Sequence, residues 1–166
     1  TLTLPSWTPQ ANDLILVPIA LRDTSVTVSS VVGNGIIFDG IANISQLNAD
    51  TRLVVYRGMS ASPTTGSITI TLSASARFVA QAIRISGTNT SGINGSGAIE
   101  AVQTATVANP GDFNMKQMIT TLESNVGAIG FGSHRDTTFI TPVGETTILL
   151  NTSLGSNDFA SHTTLS

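Results

Sequence analysis

The chain has 166 residues, a net charge of −3 at pH 7 and no cysteine. Charged residues make up 10% of it, against about 25% in an ordinary soluble domain, and the seven cations (Arg22, Arg52, Arg57, Arg77, Arg84, Arg135 and Lys116) form no cluster. Disulfides, thiolate metal sites and a cysteine nucleophile are therefore excluded, as is the basic footprint that nucleic acid or an anionic membrane surface requires.

The chain opens on Thr1 without a signal-peptide pattern, so it reads as a processed product or a segment of something longer. Trp7, the single tryptophan, stands in "PSWTPQ" between two prolines, where a plug sealing the end of a core fits better than an exposed platform. Leu14–Leu21 is the longest apolar run. It has eight residues, contains Pro18, and falls far short of the ~18 needed to cross a bilayer, so no membrane insertion is expected. Apolar on both faces, it reads as a central strand covered on each side, as does Arg52–Met59, which carries the single tyrosine, Tyr56.

Between these two, "TSVTVSSVVGNGIIF" (Thr24–Phe38) alternates valine with hydroxyl residues and then turns through Gly33-Asn34-Gly35 into a second apolar run. Val26, Val28 and Val32 are predicted to share the inward face, and the stretch is an edge hairpin or a corner between sheets. Ser62-Pro63-Thr64-Thr65-Gly66 is a proline-initiated turn. "SITITLS" (Ser67–Ser73) then sets Ile68, Ile70 and Leu72 against Thr69 and Thr71, as a half-buried antiparallel strand does.

Phe78–Ser86 is the next strand, with Val79, Ile83 and Ile85 on one face. "TNTSGINGSG" (Thr88–Gly97) reads as a long surface loop, Ala98–Val107 as a weak strand, and Asn109-Pro110-Gly111-Asp112 as a turn. Asn114–Ser124 has Met115, Met118, Ile119 and Leu122 at helical spacing, but Thr120-Thr121 tilt it toward a strand, "MITTL". Val126–Phe131 and Thr146–Leu150 complete the strands, and "SHRD" around His134 is a polar turn. About eight to ten short strands with turns every 8–12 residues predict an all-β domain spanning 1–166: a two-sheet antiparallel β-sandwich, jelly-roll-like.

Chemistry is sparse. His134 and His162 stand far apart with no partner at ligand spacing, so no metal and no cofactor are expected. Asp39 in "FDG" and Asp158 in "GSNDF" each offer calcium a single carboxylate, which is the ordinary state of a solvated loop. No G-x-S-x-G elbow occurs, and the glycines of Gly92–Gly97 run in the reverse order to a dinucleotide fingerprint. Glu100, Glu123 and Glu145 give no pair that the sequence brings together for glycoside hydrolysis. Sequons at Asn43, Asn89, Asn94 and Asn151 are close to what eleven asparagines and abundant Ser and Thr produce by chance. No catalytic residue is assigned, and the chain is expected not to be an enzyme. For a ligand, Trp7, Asn89 and Asn94 are the candidates, Trp7 for stacking and the asparagines on the long loop.

Sheet edges are usually guarded by Lys, Pro or inward charge. Lys116 is the sole lysine, and Ser67–Leu72 and Val26–Val32 carry no charge, which points to contact with copies of the chain or with neighbouring subunits. Several stretches carry a resemblance: "NDLILVPIALRDTSVTVSSVVGNGIIF", "RLVVYRGMSAS" leading to "GSITITLS", "GSGAIEAVQT" and "TTFITPVGETTILL" (Thr137–Leu150). They resemble the β-sandwich modules of phage virion and secreted bacterial surface proteins, with Phe38 standing where those modules have tryptophan. The resemblance implies a further strand beyond Ser166 and transfers no functional residue. With it, the expectation is a non-enzymatic structural protein of a virion surface or extracellular assembly: a tail fibre, capsid decoration or surface filament subunit. The alternative is a receptor- or carbohydrate-binding module facing a cell-surface glycan.

Overall fold

The computed structural model describes residues 1–46, 50–106, 127–134, 146–151 and 158–164. They form eleven strands and no α-helix: β1 (Leu2–Thr3), β2 (Leu14–Leu21), β3 (Val28–Gly33), β4 (Ile36–Gln46), β5 (Thr51–Gly58), β6 (Ile68–Leu72), β7 (Phe78–Ala80), β8 (Ile83–Ile85), β9 (Ala128–His134), β10 (Thr146–Asn151) and β11 (Asp158–Thr164). Eight make one antiparallel sheet in the order β1-β6-β3-β4-β5-β2-β7, with β8 beside β7 on the same edge of β2. The other three pair as β10-β11-β9.

The large sheet curls. In a flat sheet β6 and β2, four steps apart, would lie about 19 Å from each other. Yet Ile68 and Ile70 of β6 share one buried cluster with Ile15, Val17, Ile19 and Leu21 of β2, joined by Val26, Val31, Ile36 and Val54. The result is an antiparallel half-barrel closed over its own apolar face. The opposite face of β2 and β5 is also covered, because Ala20, Leu53 and Val55 pack with Val79 and with Phe131 of β9. The two runs read as central strands are buried on both faces, β2 at every residue.

The corner of the curl is the Thr24–Phe38 hairpin. β3 pairs with β4 only through Val32–Ile37 and Gly33–Ile36. Asn34 and Gly35 form the two-residue turn, both left-handed at φ 54° and 64°, which matches the twist of the strands they join. Beyond the turn the strands part, β3 toward β6 and β4 toward β5.

Three sequence expectations are corrected. Val26, Val28 and Val32 do not share a face: a bulge between Val28 and Ser30 shifts the register, so Val31 is buried and Val32 is exposed. The uncharged stretches read as unguarded edges are covered over part of their length: β6 lies between β3 and, at Thr69 and Ile70, β1, and β3 lies between β6 and, at Val32 and Gly33, β4. The edge beyond β2 is blunted instead by interruption and by Arg84. Ala98–Val107 forms no strand over its described part; a 3-10 turn at Ser96–Ala98 leads into residues 99–106 without ladder pairing.

Pro18 causes the interruption. Its carbonyl accepts from Gln81 N at 3.4 Å, so its nitrogen, which has no hydrogen to give, faces the same neighbour. The strand read as Phe78–Ser86 breaks there into β7 and β8, although both halves keep one register against β2 and Val79, Ile83 and Ile85 keep one face. At the C-terminal end, His134 closes β9 opposite Asp158 rather than lying in a turn, and Asp158 opens β11 rather than a loop. The Asn109–Asp112 turn and the alternative readings of Asn114–Ser124 lie outside the described residues.

Candidate functional site

The antiparallel registers gather the starts of β2, β4 and β6 and the ends of β3, β5 and β8 at one end of the half-barrel. Segments 4–13, 34–35, 59–67 and 86–100 therefore share that end. Trp7, Asn89 and Asn94 all lie there, but in separate networks. Trp7 is half-buried and packs against the main core, while its backbone exchanges two bonds with Gly66, 2.9 and 3.1 Å. It plugs the curl. Asn89 is exposed and accepts from Ser91 N at 2.9 Å, an Asx turn within its own loop. Asn94, left-handed at φ 51°, donates through Nδ2 to Asp39 Oδ2 at 3.2 Å.

That last bond docks the long loop. Asp39 lies opposite Arg57 in the β4–β5 ladder and pairs with its guanidinium at 3.6 Å. Gly95, buried at φ 82°, comes so close to Leu14 and Met59 that a β-carbon would stand 3.0 and 3.2 Å from their side chains. The stretch read as a surface loop is thus a loop held onto the sheet, closed by Gly97 N to Ser91 O at 3.0 Å.

Two residues that sequence reasoning missed hold this end together. Asn34, 4% exposed, donates through Nδ2 to the carbonyls of Trp7 (3.0 Å), Thr64 (3.2 Å) and Gly66 (3.1 Å). "GNG" signals the turn, but nothing in it signals a side chain joining segments 27 to 32 residues away. Asp13, also 4% exposed, accepts from Gln10 N at 3.0 Å and faces Arg84 Nε at 3.5 Å. At the opposite end, Arg52 donates to Thr24 O (2.6 Å) and Ser45 Oγ (3.1 Å). Asp23 there accepts from Ser25 Oγ (2.6 Å), Ser25 N (2.7 Å) and Val26 N (3.2 Å), which holds its carboxyl below the ordinary 3.8, the Ser25 hydroxyl acting most.

The outer face of the corner has a different chemistry. Ile37, Val32, Thr69 and Thr3 form one row across β4, β3, β6 and β1 by register. Ile37 is 68% exposed and Val32 56%. The Thr3 and Thr69 hydroxyls meet at 3.4 Å. No charged residue occurs in β1, β3 or β6. Further along β4, an open depression of about 370 Å³ is lined by Gly40, Ile41, Ala42, Asn43, Val54 and Tyr56. Burial raises the Tyr56 phenol above its ordinary pKa.

Among the described residues no three His, Asp or Glu side chains come together as metal ligands. Glu100 is exposed, and Glu123 and Glu145 lie outside the described residues. No helix of the described residues is long and apolar enough to cross a membrane. No protein-family model, curated protein or solved structure matches the chain.

Proposed function

We propose that the chain is a non-enzymatic structural module of a virion surface or extracellular assembly, self-associating as a tail fibre, capsid decoration or surface filament subunit does. In this reading the half-barrel is a jelly-roll-like sandwich, with β1-β6-β3 facing β4-β5-β2-β7 across the main core. The observation that carries the proposal is the uncharged row Ile37–Val32–Thr69–Thr3. Two large apolar side chains face solvent side by side, flanked by threonines; β1, β3 and β6 bring no charge, and Asp39, two residues past Ile37 on β4, is paired with Arg57. The low overall charge supports it, since weakly charged subunits lose little to repulsion at high local density. The test is the mass of the purified chain by light scattering across a concentration series, with electron microscopy of the same samples. Species larger than a monomer are expected; a monomer at the highest concentration refutes the proposal.

A second reading, recognition of a receptor or cell-surface glycan, draws on the shared placement of Trp7, Asn89 and Asn94 at one end. Against it, Trp7 is half-buried and packs against the core. Glycan-array binding lost on Asn89→Ala, with the fold intact by circular dichroism, would transfer weight to it.

A further inference from the structure

Asparagine followed by glycine is the pair most prone to lose its side-chain amide, because glycine has no side chain to keep its own nitrogen from the asparagine Cγ. The chain has this pair twice, as Asn34-Gly35 and Asn94-Gly95. Each pair occupies the centre of a tight turn with both residues left-handed: φ is 54° and 64° in the first, and 51° and 82° in the second, where Ser96 N donates to Ile93 O at 3.0 Å. Dipeptide and local backbone are therefore matched, and the difference between them is the tertiary hold on each amide. Asn34 is 4% exposed, closes the β3–β4 hairpin and gives Nδ2 to three carbonyls. Asn94 is half-buried in a loop, next to Ile93 at 75% exposed, and among the described residues its Nδ2 has one partner, Asp39 Oδ2 at 3.2 Å.

We propose that Asn94 is a site of spontaneous deamidation, that the fold protects Asn34 from the same reaction, and that conversion of Asn94 releases the 88–97 loop from β4. Gly95 N attacks Asn94 Cγ. The new N–C bond closes a succinimide, the Cγ–Nδ2 bond breaks, and ammonia leaves with the proton of the Gly95 nitrogen. Water then adds to one of the two ring carbonyls and opens the ring to an aspartate or an isoaspartate, with nothing oxidised or reduced. Attack needs the turn opened and the amide freed, so its rate follows the cost of local opening. At Asn34 that cost covers a hairpin turn and bonds to three carbonyls; at Asn94 it covers a loop and a bond to one carboxylate. The product sets a second carboxylate where Asp39 had a donor. Arg57, 3.6 Å from Asp39, offsets one of the two charges, and the contact that docks the loop becomes repulsive.

The test incubates the full chain in mildly alkaline buffer, folded and in urea, and follows both pairs by mass spectrometry after tryptic cleavage, which puts them on separate peptides, residues 23–52 and 85–116. In the folded chain Asn94 is expected to convert about tenfold faster than Asn34 or more, and in urea the two rates converge. Equal rates in the folded chain, a faster Asn34, or a ratio that persists in urea overturns the protection. An Asn94 that keeps its amide while the urea sample converts overturns the site. Release is read by hydrogen exchange at the Gly97 and Ile99 amides, which donate to Ser91 O and Ser96 O. Asn94→Asp, which suits the left-handed turn as asparagine does, is expected to exchange faster there than wild type, with β2 and β5 unchanged. Adding Asp39→Asn sets a donor against a carboxylate again and restores protection. An Asn94→Asp loop as protected as wild type, or one that Asp39→Asn does not rescue, overturns the release.

Discussion

Asn34 is the residue on which the loop end of the half-barrel depends, and its contribution can be separated into parts. Asn34→Gly keeps the left-handed backbone at no steric cost and deletes only the side chain. Two N–H donors serve three carbonyls, of which Trp7 O and Gly66 O keep their backbone donors. Two hydrogen bonds at about 0.5–1.5 kcal/mol each are lost, and Oδ1, buried without a partner, returns roughly 1 kcal/mol when removed, leaving a net loss of about 0–2 kcal/mol. Asn34→Ala loses the same bonds and, unlike glycine, keeps a β-carbon in the left-handed region without asparagine's tolerance for it, so it is expected about 1–2 kcal/mol below the glycine variant. Asn34→Asp keeps a residue suited to that region but points an acceptor at three carbonyls, so it is expected to be the worst of the three. Urea unfolding reads all of them: with a slope of roughly 2 kcal/mol per M, the glycine variant shifts its midpoint by at most about 1 M. An aspartate variant as stable as the glycine variant would show that the amide is not the clamp described here.

The bulge in β3 gives a prediction opposite to simple alternation: Val31→Thr buries an unpaired hydroxyl at a cost of about 1–3 kcal/mol, while Val32→Thr stays within about 0.5 kcal/mol of wild type, both by urea unfolding. Ile70→Ala removes a fully buried side chain and is expected to cost about 2–5 kcal/mol, and Leu72→Ala, at the half-buried end of the same strand, less; equal losses would contradict the core placement. Asp23 is held below its ordinary 3.8, so its contribution to stability is complete above that pH and is lost as pH falls through the lower folded value. The stability difference between wild type and Asp23→Asn should therefore be constant at neutral pH and shrink below about pH 3.8, in thermal melts across an acid series.

How much was legible depends on whether the signal was local. "GNG" between apolar runs encodes a two-residue turn in the allowed backbone angles of two residues, and the hairpin stands where it was read. "ITITL" alternates cleanly because one face is buried and the other is not, and Ile68 and Ile70 are in the core. β11 was missed because Phe159 is its only large apolar residue, and a strand held by ladder bonds on both sides needs no pattern of its own. Of the candidate ligand residues, only their shared end could follow from strand order, and strand order is not written in any one strand. Asp39, which receives Asn94, is 55 residues away from it.

The amino-acid sequence by itself determined that the chain is antiparallel β, that two strands are covered on both faces, and that no cysteine, basic patch or motif supplies an obvious chemistry. These follow from composition and from side-chain period, which each segment carries independently. Only the tertiary structure decided which strand pairs with which, where one inserted residue reverses a face, and that an asparagine in a turn clamps three segments. Those outcomes depend on which strand lies beside which. A curl that brings β6 over β2 is fixed by the sum of many weak apolar contacts, and no single stretch of the chain contains that sum.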